Sequence, residues 1–506
     1  VTETHRSGDA AVLRRALCAG ASLFLLAFAA RGEAQEVGSE VVSDVREVVD
    51  TLTFPELRFD PPQVTFETLS NGVTVLFSED RTLPLVDVYV RFKGGYGYFD
   101  RGYYAAATAV PALLRNGGTE TLPPDSVDRL VDRYSLSFSF GTGGGSSSSR
   151  VNTLTEHVEP ALDLWSEILK RPRFDSAQVE VWRGQSRESV RRRADNPGRL
   201  AFSEFNRLMF GDHPVGWEME LTDLEREKLS EERLRWVHRR VFCPENMILG
   251  VTGDLSWDRA RTLLEEAVAD WPECAEPLPE APEPVVRGEP GVFVIPRELS
   301  QSTVVLAGPG GVQRAPTDDY YASRIANSIL GAGGFSSRLM TRVRTEEGLA
   351  YSASSLWTAP EDTEGIVGAI TQTRGESTVE AVRLVLQILG EMRQRPPEED
   401  EVRTAVEEIV NGFVFNFESS GQVVSRQMFY MAQELPRDWL ERYLEGIQSV
   451  EPADVHRVFS EHVDPSSMTI LILGDTARFD EPIESLGFGA PRIIEVERPH
   501  RSSTPP

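Results

Sequence analysis

Apolar residues alternate with other side chains along Val86, Val88, Val90 and Phe92, and this period of two predicts a half-buried strand over 86–92. Upstream, the runs Val64–Leu69 and Val73–Phe77 flank Ser70-Asn71-Gly72. Asn-Gly supplies the positive φ of a tight turn, so these runs form a predicted hairpin. Farther on the period changes. Val158, Ala161, Leu162, Trp165, Ile168 and Leu169 recur every three or four positions, which places them on one face of a helix. Gly141-Thr142-Gly143-Gly144-Gly145 and Ser146–Ser149 lie between two alternating stretches, Ser135–Phe140 and Val151–Leu154. They read as a flexible hairpin tip. A phosphate-binding loop needs a strand running into a helix N-terminus, and usually a lysine, and neither is here.

The pattern occurs twice, with a period near 217 residues. Gly94-Gly95 follows the strand at 86–92, and Gly310-Gly311 follows Thr303–Leu306. Tyr103-Tyr104 opens a helical stretch that ends at Gly117-Gly118; Tyr320-Tyr321 opens one that ends at Gly333-Gly334. Val237–Phe242 leads to Met247–Val251 and Gly253-Asp254, as Val455–Phe459 leads to Met468–Leu473 and Gly474-Asp475. Four ordered landmarks at one offset mark a duplicated domain. The expected class is α+β: two homologous tandem domains, 63–271 and 291–490, each a mostly antiparallel sheet covered by helices on one face. Residues 272–290 hold six prolines and five glutamates, the composition of a semi-rigid, solvated linker. Residues 35–62 and 491–506 read as loose terminal segments.

Composition narrows the function. The 506 residues carry 79 acids and 52 bases, a net charge of −27, with lysine only at 93, 170 and 228. Such a surface repels phosphate, which argues against nucleic-acid binding. Arg14 and Arg15 precede the apolar run Ala16–Ala30, with small residues following it. That is the pattern of a secretory signal peptide over 1–34, shorter than the roughly 20 residues of a membrane span. A retained anchor is the alternative. The mature chain is thus expected to be exported, periplasmic or extracellular, with no stable span. Export implies an oxidising compartment, in which Cys243 and Cys274 either pair or stay as buried thiols.

Candidate chemistry is sparse. None of the seven histidines lies three or four residues from another, so no helical zinc pair exists. No G-x-S-x-G links a strand to a helix. The specific stretch is Ser336 to Tyr351. Arg344 and Tyr351 are seven apart, but Gly348 predicts that the helix stops and that Tyr351 opens a strand. A guanidinium and a phenol together can donate to a carbonyl oxygen that gains charge during attack. The alternative is an exposed arginine paired with Glu347 and a tyrosine packed on a sheet edge.

With the duplication, this stretch resembles the insulinase (pitrilysin-type) metallopeptidase family. Gly331–Gly334, Ser336-Ser337-Arg338-Leu339 and Val343–Tyr351 are similar to its C-terminal signature; Phe413–Ser419, Asp195-Asn196-Pro197 and Gly474-Asp475 also match. The family's zinc is held by an H-x-x-E-H motif in the first half and a glutamate about 76 residues later. Alignment on Asn116–Thr119 puts Ala109, Ala112 and Leu113 at the motif and Ser189 at the distal position, so no zinc is expected in this chain. The resemblance implies half of a clam-shell chamber and the Arg/Tyr-bearing subunit of a two-chain peptidase, inactive alone. Arg344 and Tyr351 would then act in trans on peptides at the zinc site of an H-x-x-E-H partner. The alternative is a non-catalytic peptide-binding or scaffold protein of the same fold.

Overall fold

The computed structural model describes residues 62–496, apart from 284 and 361–363. The expected leader, nearly all of 35–62 and the Ser-Ser-Thr-Pro-Pro ending lie outside the described residues. Among those described, no helix is long and apolar enough to cross a membrane.

The first sheet contains β1 (Thr65–Thr68), β2 (Thr74–Glu79), β3 (Leu85–Lys93), β4 (Ser137–Thr142), β5 (Ser146–Leu154) and β6 (Met247–Gly253). The second contains β7 (Gly291–Pro296), β8 (Gln301–Pro309), β9 (Ala350–Trp357), β10 (Ile366–Arg374), β11 (Thr469–Gly474) and β12 (Arg492–Ile493). Their orders are β1-β2-β6-β3-β5-β4 and β12-β7-β11-β8-β10-β9. Setting the outermost β1 and β12 aside, the two orders are the same path traced twice. The duplication read from the sequence is therefore a duplication of topology. Most neighbours are antiparallel; β2 with β6, and β7 with both β11 and β12, run parallel.

Local expectations are met where neighbours in sequence decide them. Gly72 takes φ +87, Asn71 Oδ1 accepts from the Val73 N–H at 3.2 Å, and β1 pairs antiparallel with β2. Val86, Val88, Val90 and Phe92 of β3 all face the core. The helix Val158–Lys170 buries the six predicted residues and Leu164 as well.

Four expectations change. The helices do not stay on one face. Each sheet has its own half's helices on one side, and a helix from the other half on the opposite side. Pro197–Phe210, from the first half, lays Leu200, Phe205 and Met209 on Phe293, Val305 and Leu471 of the second sheet. In return Ser420–Ala432 lays Val424 and Met428 against Leu76 and Ile248 of the first. A two-sided apolar sheet leaves water only if both faces are covered, and the exchange does this.

The 272–290 linker is exposed along most of its length, as expected, but it is strapped to the first half and does not hang free. Cys243 and Cys274 form a disulfide with Cα atoms 5.1 Å apart, Glu276 pairs with Arg240, and Leu278 packs beside Gly94. Nor is the tail loose from 491. Arg492 and Ile493 pair with Phe293 and Val294, and Ile494 N–H donates to Val294 O at 2.8 Å, so the chain here covers the middle of the outer edge of β7. An open edge carries unpaired backbone groups, and this pairing shortens it.

The glycine tip between β4 and β5 is a hairpin, but a pinned one. Tyr96 N–H donates to Gly143 O at 3.0 Å and Gly97 N–H to Gly144 O at 2.9 Å. Glycine serves close backbone approach here, since a Cβ on Gly97 would lie 2.8 Å from Gly144 O.

The five described histidines all bond to protein groups. His238 is buried, its Nε2 2.7 Å from Leu169 O. Burial pushes its pKa from 6.5 down to about 4, against the pull of that carbonyl. Between those values the unfolded chain takes up a proton that the folded chain excludes. Stability should therefore fall as pH drops from about 6.5 towards 4, with a slope approaching about 1.4 kcal/mol per pH unit from this group. His238→Gln keeps a donor for Leu169 and should flatten that slope. Urea unfolding of both proteins at about pH 4.5 and about pH 7 checks it, and an unchanged slope would refute the assignment.

Candidate active site without a metal

The helix Tyr104–Asn116 carries the positions at which the resemblance would place a zinc motif. Its side chains there are apolar. Ala109 and Leu113 are buried in the first core and Ala112 is half-buried. Pro111 sits inside the same helix and is also buried. The helix packs against Ser176–Arg192, which carries Ser189 on an exposed position. The neighbouring Glu188 bonds Arg192 at 2.6 Å. Two alanines, a leucine and a serine hydroxyl do not make a zinc donor set, so these residues do not fit the metal.

Two groups of potential ligands converge elsewhere among the described residues. In Cys243, Glu245 and Cys274, the sulfurs are bonded to each other. In Asp319, Glu461 and His462, Arg457 donates to Asp319 at 2.6 Å and to Glu461 at 3.3 Å. That arginine already compensates the charge a cation would.

The segment 334–351 is built to present one arginine. Arg338 is anchored by two 2.7 Å bonds to Glu401, and Arg342 by a 2.5 Å bond to Glu391. Desolvation works against the Glu401 carboxylate, but the Arg338 bonds and the Glu398 N–H hold its pKa below the usual value. Met340–Glu346 winds as a π-helical turn, with Glu347 N–H reaching back to Arg342 O at 3.1 Å. The wider turn sets Arg344 apart from its anchored neighbours; such turns are frequent at functional sites. Gly348 then takes φ +62, ends the helix and releases the chain into β9, as the sequence predicted.

Arg344 and Tyr351 are brought together. The guanidinium carbon lies 5.5 Å from the Tyr351 ring centre and 5.1 Å from that of Phe335. Among the described residues its side-chain hydrogen-bond partner is the Met340 sulfur at 3.9 Å, so rings and a thioether hold it where Glu347 was the alternative. Tyr351 is 74% exposed and Phe335 73%. The pairing of β9 with β10 slips at this point: Ser352 faces Gln372 and Ala350 faces Thr373, which leaves Tyr351 as the extra residue of a bulge on an edge strand. Bulges re-aim side chains, and this one turns the phenol off the sheet's regular alternation. Phe335 escaped the sequence reading. Its one mark there is a large apolar residue between Gly333-Gly334 and Ser336-Ser337.

The fold, and a site whose aligned metal positions carry no ligands, are similar to those of inactive peptidase domains. The family model for the peptidase M16 inactive domain matches residues 228–409. An uncharacterized zinc protease of Streptomyces coelicolor is 28% identical over 308 residues, 59% of this chain and 65% of that protein, a little under two-thirds of its length. The Helicobacter pylori protein named non-peptidase homolog YmxG is 22% identical over 80% of this chain and 92% of its own. The crystal structure of a peptidase M16 inactive domain from Pseudomonas fluorescens superposes with a TM-score of 0.72 at 24% identity, covering 82% of this chain and 98% of that one. Residues 228–409 thus match the M16, or insulinase-type, inactive domain, and the relatives and the fold of the rest of the chain are similar to that family's.

Proposed function

We propose that this chain is the exported, non-zinc subunit of a two-chain M16 endopeptidase, contributing Arg344 and Tyr351 to peptide cleavage at a partner's metal site. One observation carries the reading. An arginine and a tyrosine are stacked, displayed at an edge strand and set there by a π turn and a bulge, while all four metal positions lack ligands. A purely structural pair would not call for two backbone irregularities to expose it. In this role the Arg344 guanidinium and the Tyr351 hydroxyl donate to the carbonyl oxygen of a bound peptide and hold the negative charge that grows there. The edge of β9 offers unpaired backbone groups to an extended peptide, which binds by strand addition. The leader-like pattern over 1–34 and the Cys243–Cys274 disulfide support export.

The test is a native pull-down of the mature chain with mass spectrometry of whatever co-purifies in equal amount. A companion of similar size bearing H-x-x-E-H supports the two-chain enzyme. A companion without zinc ligands, or none, supports the second reading, a peptide-binding or scaffold protein, which the non-peptidase name of the Helicobacter pylori relative favours. On either reading the chain purified alone should carry far less than one zinc per molecule. Stoichiometric zinc by plasma mass spectrometry would overturn both.

A further inference from the structure

Four helices of the second half, Asp318–Asn327, Glu399–Val414, Ser420–Ala432 and Trp439–Gln448, border a cavity of about 420 Å³. Half of the residues in its wall are aromatic, Tyr320, Phe413, Trp439 and Tyr443 among them, so its body suits an apolar or aromatic group. The Tyr443 ring centre lies 5.5 Å from that of Phe413 and 6.2 Å from that of Trp439. The rings brace one another, and the cavity is preformed.

Packing does not account for its charge. Arg314, from the loop after β8, and Arg426 both line the cavity and are half-buried. Each bonds a neutral amide: Arg314 donates to Gln433 at 2.6 Å and Arg426 to Asn416 at 2.8 Å. Among the described residues neither forms an ion pair. None of their nitrogens is both buried and without a partner, so the donors left over reach open space. A third arginine, Arg324, lies 5.3 Å from the Tyr320 ring centre and donates to the Ser323 hydroxyl and the Trp357 carbonyl, at 3.2 and 2.7 Å. Burial pushes its pKa below the ordinary arginine value; the Tyr320 and Tyr443 hydroxyls oppose this and the Arg314 charge adds to it.

Nearby acids do not offset these charges. Glu408, also in the wall, accepts from Ser336 at 3.0 Å and Ser328 at 3.3 Å, and from neither arginine. Burial pushes the Tyr430 and Tyr443 hydroxyls above their usual pKa of 10, so both are neutral at pH 7. The first half shows the compensated form of such a site. There Arg101 packs on Tyr104 and Trp217, and Asp223 accepts from it at 2.5 and 3.3 Å. A guanidinium drawn out of water calls for a counter-charge, and a carboxylate entering the cavity would supply it with charge-assisted bonds.

We propose that this cavity binds an aromatic or large apolar carboxylate, such as the free C-terminus of a peptide ending in phenylalanine, with Arg314 and Arg426 on the carboxylate and the rings around the side chain. The site is separate from Arg344 and Tyr351. Titration calorimetry of the full chain at pH 7 with N-acetyl-phenylalanine, with its uncharged amide and with acetate tests it. N-acetyl-phenylalanine should saturate one site with a Kd on the order of 1 mM. The amide lacks the charge and acetate lacks the ring, and each should bind at least about tenfold more weakly. Arg314→Gln and Arg426→Gln keep an amide donor and remove the charge, so each should weaken N-acetyl-phenylalanine about tenfold. Arg344→Ala should leave it unchanged. If one arginine variant does not fold, the other decides, and the comparison of acid with amide in wild type needs neither. The proposal is overturned by the absence of saturable binding up to about 10 mM, by equal affinity for the amide or for acetate, or by wild-type affinity in a folded Arg314→Gln or Arg426→Gln protein. Loss of binding in Arg344→Ala would also overturn it, by placing the ligand at the other site.

Discussion

Arg344→Ala, assembled with a zinc-bearing partner, is expected to lower kcat/KM for peptide cleavage by about a hundredfold or more, the scale of losing one oxyanion donor. The guanidinium is held by the Phe335 and Tyr351 rings and by a thioether, so its donors remain for a substrate carbonyl. Tyr351→Phe separates the roles within the pair. It keeps the ring on which Arg344 stacks and removes only the hydroxyl, so its loss should appear in kcat more than in KM. Neither change should disturb folding much, because a stack this exposed contributes about 0.5–1 kcal/mol. Partner binding and the partner's zinc content should be unaltered. Wild-type kinetics in both variants would end the catalytic role and leave the binding-protein reading.

The second large effect concerns the exchanged helices. Phe205 is 1% exposed and lies on the sheet of the opposite half. Phe205→Ala should cost about 3–5 kcal/mol in urea unfolding, through lost burial and the cavity left behind. Unfolding should also stay a single transition in wild type, since neither sheet keeps its outer face covered without the other half. A loss below about 1 kcal/mol, or two separate transitions, would show that the helix is an accessory and not a shared part of the core. Met428 on the reciprocal helix packs over Gly250 of the first sheet, where a Cβ would collide with its sulfur. Its apolar cluster holds only Leu76 and Val424 besides partly buried neighbours, so Met428→Ala should sit at the low end of the same range.

Much was legible without coordinates, because local rules wrote it. The period of β3, the Asn71-Gly72 turn, the Gly348 stop and the repeated landmarks each depend on residues within a few positions of one another. The resemblance aligns Ala109, Ala112, Leu113 and Ser189 with the zinc motif, and that such side chains offer no metal donor set follows from their chemistry. Tertiary structure decided what lies across the chain. The pattern of Pro197–Phe210 shows an apolar face but not which sheet, about a hundred residues away, receives it. The pairing of Cys243 with Cys274, the strapping of the linker and the edge strand at Arg492–Ile493 are likewise contacts between distant segments. So is the choice of Phe335 and Tyr351 over Glu347 as company for Arg344. A sequence fixes periods and donor sets because these are properties of short segments. Which face meets which partner is settled only when the whole chain competes for the same buried surface.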